Sequence, residues 1–271
     1  MTRFQEPIYD KPAPAIVQSP YDPKRNQTVA VSPQPVQPPS PATGGDPSDT
    51  LAKAGEYLLQ GNIQTANKLF RRAAEANPRN FLSLTEYART SYLLGRIREA
   101  HTAYLKALNN FPILSGIKAW LGYLSLLRGN IQGAFRWTQE ELKSDPNSGW
   151  AHSVMGSIYL QKNDVANANV AFATAVYRDH RIINSRFQNG KALHKQGIYA
   201  LAIFEFLAAA CMNPKDPIAY FWLGLCNVGA GNAEMAITWY QNYLQRDSAS
   251  QRAEKARAEI ERMKRTKQNV R

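Results

Sequence analysis

The chain has 271 residues, a formal net charge of +12 from 33 basic and 21 acidic side chains, and only two cysteines. Two unpatterned cysteines exclude a disulfide-stapled framework, a cysteine-rich metal site and a redox motif, and the sequence holds no run of about 18 apolar residues that could span a bilayer. The basic surplus points toward acidic partners or surfaces, so where it lies along the chain matters more than its size.

At the N-terminus, 11 of the 16 prolines fall within residues 1–47, mixed with Gln, Ser and Thr. Such a stretch buries too little apolar surface to offset chain entropy, so 1–46 is predicted to be a disordered or polyproline-like leader. It would serve as a tether or, through Gln37-Pro38-Pro39-Ser40-Pro41, as a docking ligand. Its four basic residues cancel its four acidic ones. No apolar signal-peptide core is present, so the expected location is cytoplasmic. A periplasmic or membrane-anchored location is the alternative if a signal has been removed.

From residue 47 the sequence repeats. Pro78, Pro112, Pro146 and Pro214 stand at intervals of 34, 34 and 68 residues, with His180 on the skipped mark. Six units follow without insertion: 47–80, 81–114, 115–148, 149–182, 183–216 and 217–250. Phase 8 is always small (Ala54, Ala88, Gly122, Gly156, Gly190, Gly224), and phase 20 is always alanine (Ala66, Ala100, Ala134, Ala168, Ala202, Ala236). Phase 24 is aromatic in every unit except the third, which has Thr138. Phases 4, 7, 8 and 11, and again 20, 24 and 27, have helical spacing, so each unit reads as two amphipathic helices. The turn between them carries glycine at phase 15 in five units, and Asn163 with Asp164 in the fourth. Proline near phase 32 ends the second helix.

This pattern resembles the tetratricopeptide repeat family across 47–250, with local departures at Thr50, Lys53, Thr138, Glu141, Tyr243 and Ser248. The resemblance implies an all-α, right-handed superhelix of six helix-turn-helix units. After it, 251–271 carries eight basic and three acidic residues. It is predicted to form a basic cap helix to about Lys264, packed through Ala253, Ala256, Ile260 and Met263. Its charged face would meet an acidic partner, an anionic membrane surface or nucleic acid.

If the packing phases are committed to the core, phases 2, 5, 9 and 12 of each first helix should line the inside of the superhelix, where family members bind peptides. The predicted groove comprises Arg89, Tyr92, Trp120, Tyr123, Trp150, Asn184, Phe187, Gln188, Lys191, His194, Lys195, Phe221 and Trp222, with further apolar lining from Leu51, Leu126, Leu225 and Val228. Lys191, His194 and Lys195 share a helix face and could pair with a ligand carboxylate. The expected partner is therefore another protein, presenting apolar side chains and an acidic group as a peptide or helix.

Other functions find less support. Some family members clamp a terminal carboxylate with Lys, Asn and Arg at fixed phases, but those phases here read Leu51, Gly55, Glu86, Gly116 and Trp120. Phase 5 carries no repeated polar code for reading RNA bases. His101, His152, His180 and His194 share no face for a metal, no catalytic motif is present, and no cofactor is expected. Cys211 and Cys226 read as buried free thiols, or as a disulfide in an oxidising compartment. The sequence reads as a non-catalytic scaffold that holds a partner polypeptide in an apolar groove. The alternative is a structural part or assembly factor of a bacterial pilus or secretion complex.

Overall fold

The computed structural model describes residues 47–269. The leader expected over 1–46 lies outside the described residues. Thirteen α-helices are present among those described, twelve of them as six consecutive pairs. The pairs are α1 (Pro47–Leu59) with α2 (Ile63–Ala76), α3 (Phe81–Leu93) with α4 (Ile97–Asn110), and α5 (Ile117–Leu127) with α6 (Ile131–Ser144). They continue as α7 (Gly149–Gln161) with α8 (Val165–Arg178), α9 (Arg181–Lys195) with α10 (Tyr199–Met212), and α11 (Ile218–Gly229) with α12 (Ala233–Leu244). The last helix, α13 (Gln251–Asn269), packs Ala253, Ala256, Ile260 and Met263 against the sixth pair, and runs beyond the expected end near Lys264.

Each repeated residue has a visible task. All six phase-20 alanines have no solvent exposure. A Cβ added at Gly156 or Gly190 would stand 2.8 Å from the ring of Phe172 or Phe206, the phase-24 aromatic of the same unit. The small residue and the ring thus form one lock within each pair. In the third unit the Thr138 hydroxyl occupies that space over Gly122 and donates to the Ala134 carbonyl at 2.8 Å, so the missing ring is locally accommodated.

The turns follow the same logic. Asn163 has φ 59°, matching the left-handed backbone of the phase-15 glycines, and so takes their place in the fourth unit. Asn62, Asn130 and Asp164 then accept from the backbone amides of Thr65, Gly133 and Asn167, capping α2, α6 and α8. The other departure in the third unit, Glu141, is buried, and it accepts from the amides of Gly116 and Ala119 and from the Ser115 hydroxyl. It therefore caps α5 from the neighbouring helix, where Gly116 has no side chain to do so.

Candidate functional site

The inner surface divides into a closed part and an open part. Over the second to fourth units it is covered by the fifth. Arg186 of α9 and Glu205 of α10 form an ion pair at 3.0 Å, with both side chains fully buried. The same guanidinium donates to Ser153 Oγ at 3.1 Å and lies 4.5 Å over the Tyr123 ring and 4.2 Å over the Trp150 ring. Glu205 also accepts from the Tyr92 hydroxyl on α3 and from Asn189 Nδ2 at 3.3 Å. Every residue of α10 is at least partly shielded from solvent.

Burial dominates the electrostatics here. It raises the Tyr92 and Tyr123 hydroxyl pKa values, and the Glu205 carboxylate pushes the same way, so both phenols stay neutral donors. For Arg186 burial opposes the charge, but Glu205 and the two tyrosine oxygens outweigh it and hold its pKa above the ordinary value. A buried pair of this kind survives only when its remaining donors and acceptors are also satisfied.

The structure therefore corrects the expected groove of exposed aromatics. Tyr92 and Tyr123 are fully buried and Phe221 is 5% exposed, so all three are core. Trp120 and Trp222 are half-buried and serve the stacking of units: Trp120 lies flat on Tyr104 at 5.5 Å, and Trp222 on Phe206 at 5.4 Å. Both pairs join phase 24 of one unit to phase 6 of the next. Trp150 is half-buried between Trp120 and Arg186. Arg89 is committed to Glu86, with Nη2 to Oε2 at 2.7 Å.

The polar members behave differently. Asn184, Gln188, Lys191 and Lys195 are all exposed and fall on one stripe of α9. Phe187 and His194 are half-buried beside it, and the His194 ring meets Trp222 at 5.2 Å and Tyr199 at 5.4 Å. Burial lowers the His194 pKa, so this imidazole tends to be neutral. Neither Lys191 nor Lys195 has a hydrogen-bond or ion-pair partner among the described residues. Trp222, Leu225 and Val228 continue the half-buried apolar surface onto α11. Leu51 is half-buried in the first unit, while Leu126 is core.

Sequence reasoning missed Arg186, Glu205, Ser153 and Asn189. Arg186 stands at phase 4, a packing position, and Glu205 is the only charged residue of α10. The lone charge of α10 was the available signal, since phase 4 also carries Lys118 and His152 in other units. Cys211 and Cys226 are free, and burial pushes each thiol pKa up to about 12. Among the described residues, no group of three or more His, Cys, Asp or Glu is placed to hold a metal, and no helix is long and apolar enough to cross a membrane.

Stacked helix pairs with a repeated lock in each pair define a helical-repeat scaffold of the kind that works through protein–protein interaction. The sequence profile of the tetratricopeptide repeat matches residues 51–112 and 187–253. The chain is 22% identical over 223 residues to the mouse (Mus musculus) BBSome complex member BBS4, covering 69% of this chain and 43% of that protein. The cattle (Bos taurus) counterpart aligns to the same extent, so the chain spans less than half the length of the curated relatives it matches. Among solved structures, the APC/C hetero-tetramer Cut9–Hcn1 superposes with a TM-score of 0.52 at 19% identity, over 80% of this chain and 42% of that one. The type IV pilus biogenesis factor PilW reaches 0.49 at 14% identity, over 79% and 99%.

Proposed function

We propose that the protein is a non-catalytic scaffold that holds a segment of a partner polypeptide along α9 and α11, where the inner surface stays open. The observation that carries this reading is the stripe Asn184, Gln188, Lys191 and Lys195, whose two lysines are exposed and unpaired beside half-buried Phe187 and Trp222. An ammonium group without a counter-charge, next to apolar surface, favours a segment that alternates apolar side chains with a carboxylate. That the curated relatives are members of a protein complex supports a role in holding proteins together.

Charge reversal tests the reading. Proteins recovered from the native source on immobilised full-length chain are compared with those recovered on Lys191→Glu/Lys195→Glu. Both side chains are exposed, so the variant should fold normally and lose the specific partner. Equal recovery on both would count against the α9 stripe as the site.

A further inference from the structure

The closed part of the inner surface is built in a way that its neighbours are not. Consecutive units meet along whole helices, whereas the fifth unit meets the first two at isolated points. Ile198 Cδ1 lies 3.0 Å from where a Cβ on Gly95 would stand, and Lys195 Nζ lies 3.7 Å from the same position on Gly61. The Tyr92 hydroxyl also donates to Glu205 across this seam. A stack of repeats is held by nearest-neighbour contacts, so this seam can part while the stack stays folded.

The seam's chemistry also differs from ordinary packing. Apolar side chains would fill the space at least as stably as a buried Arg–Glu pair, whose desolvation offsets much of its attraction. What the pair supplies instead is register, because Glu205 finds the Tyr92 donor only when the fifth unit sits at one position against the second. Behind it lie Tyr92 and Tyr123, rings that the seam hides, with half-buried Trp150 at their edge.

We propose that Tyr92, Glu205 and Arg186 form a clasp that closes the solenoid on itself, and that releasing it exposes the aromatic inner face of α3 and α5 as a second, normally shielded docking surface. The contact is autoinhibitory: α10 presents Phe204 and Glu205 to that face, with Phe204 at 6.3 Å from the Tyr123 ring, and thereby occupies it. A partner helix with a carboxylate beside an aromatic would take the same place. This inference extends the scaffold reading, but the clasp stands or falls without any partner in hand.

The test uses the full chain with Gln60→Cys and Gln196→Cys, exposed positions in the turns on the two sides of the seam. The native thiols, Cys226 buried and Cys211 half-buried with both pKa values raised by burial, are poor competitors for labelling. Spin labels at 60 and 196 should report one short distance in the parent. Tyr92→Phe, which deletes one hydroxyl and keeps the ring, should add a longer population at unchanged helical content. It should also raise fluorescence of 8-anilinonaphthalene-1-sulfonate, a dye that brightens on apolar surface, and a short bismaleimide cross-link between 60 and 196 should abolish that rise. Glu205→Gln should open the seam further; if it fails to fold, Tyr92→Phe decides. An unchanged single distance in Tyr92→Phe, or a dye signal that persists in the cross-linked form, overturns the clasp. Loss of partner recovery on Lys191→Glu alone, which leaves the Lys195 contact with Gly61 in place, bears on the α9 stripe and leaves this result standing.

Discussion

The Tyr92 hydroxyl donates to the Glu205 carboxylate across 113 residues of sequence, joining the second unit to the fifth in a fold held mainly by neighbouring units. Glu205 serves Arg186 at the same time, so one carboxylate satisfies donors from two helices that the repeat alone would not bring together.

Removing that carboxylate strands a buried guanidinium. Glu205→Gln is therefore expected to cost about 3–5 kcal/mol, while the paired change Arg186→Met/Glu205→Leu should recover most of the loss. Urea denaturation of the single and double variants measures the difference, and a double variant no better than the single would show that the charge pair is not the source.

The lock inside each pair predicts a steric cost. Gly190→Ala drives a methyl group into the Phe206 ring and should destabilise the chain by about 1–3 kcal/mol. Adding Phe206→Leu should remove part of that penalty. A denaturation midpoint unmoved by Gly190→Ala would show that the ring yields freely.

Much of this was legible in sequence because it recurs. The alanines at phase 20, the small residue at phase 8 and the turn residues at phase 15 appear in register along the chain, and each was read correctly from spacing. Tyr92 and Tyr123 were misplaced for the opposite reason. Their burial comes from the fifth unit folding over the second and third, and a contact made once leaves no period to detect. Trp120 and Trp222 lie one residue off the inner stripe, and phase alone could not show that each stacks on the preceding unit's aromatic. Glu205 broke the pattern visibly, as the one charge at a phase otherwise held by Leu69, Ala103, Trp137, Ala171 and Trp239, whereas Arg186 shares phase 4 with Lys118 and His152 and gave no such sign.

Glu141 illustrates a departure that the structure turns into a function. Because its carboxylate caps α5 from α6, Glu141→Ala should lower stability by about 1–2 kcal/mol. Hydrogen exchange should show the loss first at the amides of Gly116 and Ala119. Uniform protection in the variant would contradict the cap.

His194 gives the fold a pH dependence of known sign. Its pKa is lowered by burial, so the folded chain binds this proton less readily than the unfolded chain does. Its contribution is fully present above about pH 6.5 and is lost as pH falls from there through the lowered folded value. Denaturation midpoints at pH 7.5 and 5.5 should differ more for the parent than for His194→Asn. An equal or smaller difference in the parent would place the titration elsewhere.

The most direct test of the scaffold account is affinity for the protein recovered from the native source, measured for the parent and for Lys191→Glu/Lys195→Glu at matched helical content and thermal midpoint. The account predicts a loss of at least tenfold for the variant, about 1.4 kcal/mol in binding free energy. Unchanged affinity in a normally folded variant would contradict it.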